Sequence, residues 1–217
     1  MTIRIKRLPA VLCGCALLGA VAPIAIAHFR LLEPASWIEE GRLGDPQWLA
    51  PCGGTTADPG KPTGAVTKVQ GGEKLHIRIR EMAFHPGFYR VALAVNSRDE
   101  LPKDPEPWTE WAGTVEKSLS GAIHYPPAPP VLADGLFQHS AAFDKDQETD
   151  VSIPNINCSR CTLQVVEFMA DHTRNPQGDF SYHHCAELQI RANPSQPIDA
   201  RFPAEQSDDR KQDPHRR

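Results

Sequence analysis

Long apolar runs, aromatic residues and charge of a single sign are all scarce in this chain of 217 residues. Aromatics make up 7%, and outside the N-terminus no apolar run approaches the eighteen or so residues of a membrane-spanning helix. No membrane span is expected. With 23 Lys and Arg against 27 Asp and Glu, the formal charge of −4 excludes a strongly basic nucleic-acid binder. Fixed-period repeats and a glycine-rich phosphate loop are missing, which removes repeat arrays and P-loop nucleotide enzymes. So are a Gly-x-Ser-x-Gly elbow and a His-Glu-x-x-His zinc helix. Acidic pairs such as Glu39/Glu40 and Asp208/Asp209 fall in expected loops or the tail, and read as solvated charge rather than a glycosidase dyad. Proline is plentiful: 21 Pro, 15 Gly and 40% apolar residues describe a loop-rich globular chain.

The N-terminus reads as an export signal. Arg4, Lys6 and Arg7 form a positive start, an apolar stretch runs from Leu8 to about Ile24, and Ala25-Ile26-Ala27 supplies small residues for cleavage. Cleavage after Ala27 assigns 1–27 to a signal peptide and leaves a secreted or periplasmic protein beginning at His28. Loss of three cations takes the formal charge from −4 to −7. A lipoprotein cut before Cys15 is the rival, but its apolar stretch would be only about seven residues.

Of six cysteines, Cys13 and Cys15 leave with the signal, and Cys52, Cys158, Cys161 and Cys185 remain. Four cysteines in an exported chain suggest two disulfides in one of three connectivities. Cys158-x-x-Cys161 could also be a redox pair or half a zinc site, though a second Cys-x-x-Cys and a surrounding βαβ pattern are missing. The expected pairing is Cys161–Cys185 with Cys52–Cys158, because the first two lie on segments that read as neighbouring strands.

Helical periodicity is scarce, and alternation with a period of two is common. In Glu73–Arg80, Leu75, Ile77 and Ile79 share one face while His76, Arg78 and Arg80 share the other. Gly87–Asn96 reads as a buried strand, followed by Thr149–Ile153, Thr162–Phe168 and Tyr182–Arg191. These predict an all-β antiparallel sandwich with long loops and one core, over residues 28–192. The Pro-rich stretch 99–134, carrying Trp108, Trp111 and Tyr125, reads as a long ordered loop or insertion. Residues 193–217, with His215, read as a disordered polar tail.

Cleavage at His28 would expose an α-amine beside an imidazole Nδ1, and the two can chelate one metal ion. The amine titrates near 7.7–8.0 and gives up its proton at little cost. A second imidazole would complete a planar three-nitrogen set, which favours Cu(II). Alternatively, the first residue is His by accident. His85, held in the Phe84-His85-Pro86-Gly87 corner before a strand, is the candidate second ligand, although turn histidines are usually solvated. His76 alternates onto a polar face, and His124, His139 and His172 read as loop residues. Tyr182 shares a strand face with His184, Ala186, Leu188 and Ile190, and its ring could block an axial metal position or simply fill the core.

Together these residues resemble the lytic polysaccharide monooxygenases and related histidine-brace proteins, in particular a bacterial polysaccharide monooxygenase-like branch. The resemblance rests on HFRLLEPASW after the signal, Pro51-Cys52-Gly53-Gly54, HPGFYRVAL, and CxxCTLQ…YHHCAELQI. It implies an immunoglobulin/fibronectin III-like sandwich and one copper held by His28 and His85, with Tyr182 axial. It also implies oxidative cleavage of a polysaccharide such as chitin or cellulose at C1 or C4, fed by an external electron donor, by a monomer without nucleic-acid partners. Gln164, Glu167, His184 and Glu187 are the implied residues around the metal. The spacing from His28 to His85 is shorter than in chitin-active members, which leaves the substrate open. Trp37, Trp48, Trp108, Trp111 and Tyr125 could stack on sugars or fill the core.

Two other readings stand beside this one. A copper-storage or delivery protein would use the same brace with an extra ligand from Glu187, Asp171 or His184. A sugar-binding or structural sandwich would carry an accidental N-terminal His.

Overall fold

The alternating segment 73–80 forms a strand whose Leu75, Ile77 and Ile79 are buried while Lys74 and Arg80 are exposed, as period-two patterning requires. In the computed structural model, residues 28–173 and 181–206 are described, with side chains for all of these except 171–173. The expected signal at 1–27 and the far end of the tail, including His215, lie outside the described residues.

The strands are β1 (His28–Glu33), β2 (Val66–Gln70), β3 (Lys74–Ala83), β4 (Gly87–Ala94), β5 (Trp108–Ala112), β6 (Val115–Leu119), β7 (Val131–His139), β8 (Gln147–Ser152), β9 (Cys158–Met169), β10 (Asp171–Thr173) and β11 (Ser181–Arg191). Among the described residues the only helix is one 3₁₀ turn at Arg98–Glu100. One antiparallel sheet has the order β1-β3-β8 and a larger one the order β2-β11-β9-β4-β7. Within the larger sheet β2 runs parallel to β11, and the remaining pairs are antiparallel. A small sheet, β10-β6-β5, lies apart.

The fold is an all-β sandwich. Phe29, Leu31, Ile77, Ile79 and Val151 from the first sheet meet Tyr89, Val91, Leu163, Val165, Ala186 and Leu188 from the second. Each such aliphatic side chain contributes about 1.5–3 kcal/mol by leaving water. Strand β4 is buried along its whole length because the other face of its sheet is covered too. There Ala92 and Ala94 pack with Cys52, Leu101, Cys185 and Trp37.

Three sequence expectations need correction. The disulfides are Cys52–Cys185 and Cys158–Cys161, not Cys161–Cys185 and Cys52–Cys158. Cys161 and Cys185 do lie on adjacent strands, but Cys161 stands opposite Leu188 and Cys185 opposite Gln164. Three residues out of register, their side chains point to opposite faces. The stretch 99–134 is more than a loop, since β5 and β6 form a hairpin within it. Residues 193–206 are mostly exposed but anchored: Phe202 is buried, and the Asn155 amide faces the carbonyls of Asn193, Gln196 and Pro197 at 3.0–3.2 Å. A single buried Asn satisfying several backbone groups leaves no trace in local polarity.

The two bridges should differ in weight. Cys52–Cys185 spans 133 residues and Cys158–Cys161 only 3, and in the chain-entropy account stabilisation grows with loop length. Replacing Cys52 and Cys185 with Ala should cost about 2–5 kcal/mol in denaturant unfolding. The Cys158/Cys161 double replacement should cost clearly less, and an equal cost would contradict the entropic account.

Candidate metal centre

One end of the sandwich gathers the chemistry. His28 opens β1 opposite Ala83, the last residue of β3. His85 follows two residues later, in the connection that carries the chain from β3 to β4 in the facing sheet. A bulge separates His28 from Phe29 in the β1–β3 ladder. It lets both side chains be buried: Phe29 enters the core, and the His28 ring lies 5.0 Å from the Tyr182 ring at the start of β11.

Hydrogen bonds fix which nitrogen of each ring carries a lone pair. His28 Nε2 lies 3.1 Å from Asp45 Oδ1. Donation to that carboxylate leaves the lone pair on Nδ1, which is buried and has no hydrogen-bond partner among the described residues. His85 Nδ1 lies 3.0 Å from the Pro86 carbonyl, which can only accept, so the lone pair of the neutral ring is on Nε2. Each ring thus has one nitrogen engaged by an acceptor, a contact of the kind that steadies a ligating imidazole.

Tyr182 is buried. Burial first, then the charges of Glu167 and Asp45, push its hydroxyl up to about 12, so it presents a neutral phenol. Trp48, 45% exposed, packs edge-on against Tyr182 at 5.8 Å. Phe84, 43% exposed, precedes His85 in the connection.

Asp45 and Trp48 arrive on the loop after β1, which is stapled at several points. The buried Gln47 accepts from Phe29 N–H at 3.2 Å and donates to the Leu43 carbonyl at 3.1 Å. Its own carbonyl receives His183 N–H at 2.8 Å. Gly53, at φ +84°, fits where a Cβ would meet the Pro46 and His183 carbonyls at 2.7 and 2.8 Å.

The other expected residues are scattered. Gln164 does not join the candidate ligands: it stands opposite Cys185, on the sheet face away from Tyr182, and donates to the Pro51 carbonyl at 2.9 Å. Its part is to hold the loop. Glu167 stands opposite Tyr182 and is buried beside it. Glu187 is paired with Arg98 and Arg160. His76, half-buried on the central strand β3, is paired with Asp150 and Glu148, and His124 is exposed. Of Asp171 and His172 only the backbone is described, in β10. Asp45 escaped notice, because only the fold brings this loop residue to His28; His139, expected in a loop, is instead the last residue of β7.

His184 supports β1. Its Nε2 donates to the Phe29 carbonyl at 3.0 Å, and its Nδ1 lies 3.2 Å from Glu40 Oε1. Burial holds the imidazole down to about 3, so it folds neutral, and burial likewise pushes the Glu40 carboxyl up.

The unfolded chain protonates His184 below about pH 6.5 whereas the folded one waits until about 3. Folding stability is therefore lost as pH falls through that window, at about 1.4 kcal/mol per unit at most. Glu40 has the opposite sign, because its raised carboxyl favours the folded state at low pH. Denaturant titrations between pH 4 and 7 should show a shallower acid limb for His184→Gln. An unchanged slope would place the sensitivity elsewhere. No family model and no curated protein matches this chain.

Proposed function

We propose that the protein is a secreted mononuclear copper enzyme of the histidine-brace type, similar to the lytic polysaccharide monooxygenases, in an immunoglobulin/fibronectin III-like sandwich. The observation that carries this reading is the buried Nδ1 of His28, without a hydrogen-bond partner among the described residues, with Asp45 occupying the opposite ring nitrogen. After cleavage at Ala27, the α-amine and Nδ1 of His28 would hold copper together with Nε2 of His85. When bound and supplied by an external electron donor, copper provides the redox chemistry with O₂ or H₂O₂ that removes hydrogen at C1 or C4 of a glycosidic linkage.

The chain's own residues have simpler tasks. Asp45 fixes the His28 ring, the Pro86 carbonyl fixes that of His85, and Tyr182 closes the core side against water. Exposed Trp48 and Phe84 offer apolar faces on which pyranose C–H groups can stack. The alternative, copper storage or delivery, calls for a further ligand. His184 and Glu187 are engaged elsewhere, while the Asp171 side chain lies outside the described residues. The engagement of His184 and Glu187 in other contacts supports catalysis.

Mature, copper-loaded protein with ascorbate, trace H₂O₂ and chitin, cellulose, xylan or starch should release oxidised oligosaccharides detectable by mass spectrometry. His85→Ala should abolish them. Retaining Met before His28 should weaken copper binding by orders of magnitude, because the amine becomes an amide. Unchanged affinity would sink the brace, and tight copper without products from any glycan would favour the carrier.

A further inference from the structure

Behind the Tyr182 ring lies a second group of potential ligands, none of which belongs to the brace. Glu81 on β3, His139 at the end of β7 and Glu167 on β9 place ligand atoms within 4.8 Å of one another. Three observations show that the group is built rather than accidental.

The first concerns His139. Its Nδ1 lies 2.9 Å from the Phe137 carbonyl, an acceptor only, so the neutral ring carries its lone pair on Nε2. That nitrogen faces Glu81 Oε1 at 3.1 Å. Two electron-pair donors at this distance need a cation between them, either a proton or a metal ion. The other Glu81 oxygen is already held, accepting from Phe143 N–H at 2.9 Å.

The second concerns Glu167. It is 0% exposed, and no well-formed hydrogen bond reaches either carboxylate oxygen among the described residues. A proton shared by His139 and Glu81 would do nothing for it. The buried Tyr89 hydroxyl stands beside it, close enough to interact, and a single hydroxyl leaves at least one carboxylate oxygen unserved among the described residues. Leaving such a group unpaired in the core costs several kcal/mol, which a bound cation would relieve.

The third is backbone. Phe137 adopts φ +49°, a left-handed conformation unusual for a bulky residue, and its carbonyl is the one that orients His139. An orienting carbonyl on the far nitrogen is the usual partner of a ligating imidazole.

We propose that Glu81, His139 and Glu167 form a second, buried site for a structural divalent cation, with Zn²⁺ the best match. One imidazole and two carboxylates suit zinc, and the Tyr89 hydroxyl or a water can complete four-coordination. Zinc bonds of about 2.0–2.2 Å set ligand atoms roughly 3.4 Å apart, so a small rotation of Glu167 closes the set. The ion would balance both carboxylates and fix the floor under Tyr182, Glu167's cross-strand partner. The site does not rest on the copper reading.

The test uses mature protein unfolded in chelator and refolded with or without Zn²⁺, followed by dialysis and elemental analysis. Wild type should retain one zinc per chain and unfold several degrees higher with it. Refolding with Co²⁺ should give the visible absorption of a four-coordinate ion, a readout that needs no variant. Glu167→Gln and Glu81→Gln should each bind zinc at least tenfold more weakly. His85→Ala, and the chain that retains Met before His28, should keep zinc while losing copper. Three results would overturn the site: wild type without zinc or cobalt after dialysis, equal zinc in Glu167→Gln, or zinc lost with His85→Ala.

Discussion

The loop at residues 43–54 is tied across two strands from opposite sheets, and the candidate centre depends on that tie. Gln47 bonds to β1 through its amide and to β11 through its carbonyl. Cys52 is bridged to Cys185 on β11, and Gln164 on β9 takes the Pro51 carbonyl. With its ends and middle fixed, the loop can hold Asp45 against the His28 ring and Trp48 against Tyr182. Gly53 permits an approach to β11 that any side chain would block.

What the loop achieves is tautomer control. An imidazole binds a metal only through a nitrogen that carries a lone pair, so the proton must be held on the other one. His28 and His85 meet this condition with opposite nitrogens, one through a carboxylate and one through a peptide carbonyl. His139 follows the same rule through the Phe137 carbonyl. His184, by contrast, spends its Nε2 on the Phe29 carbonyl and turns its Nδ1 to Glu40. It is a structural histidine.

Strands β3 and β8 were legible in the sequence through alternation, and β4, β9 and β11, buried on both faces over most of their length, as apolar runs bounded by turn residues. The β5–β6 hairpin was not: β5 is exposed along its whole length, so no face selects apolar residues. Register was equally hidden. Knowing that 162–168 and 182–191 are strands does not say that Tyr182 meets Glu167 or that Gln164 meets Cys185. Both the disulfide pairing and the placement of Gln164 turned on that offset. His28, His85 and Tyr182 could be picked out because processing, a Pro-Gly corner and a strand end mark them locally. Asp45 and His139 carry no such mark, since β7 is broken by left-handed Gly135 and Phe137 and does not alternate.

The central claim is that His28 Nδ1, its α-amine and His85 Nε2 bind one copper ion. Pulsed EPR of the Cu(II)-loaded mature protein, with ¹⁵N placed in the histidine rings alone, addresses it directly. The account predicts two labelled imidazole nitrogens and one unlabelled amine nitrogen coupled to a single copper, with one imidazole lost in His85→Ala. A signal with one imidazole, or one unaffected by His85→Ala, would contradict it.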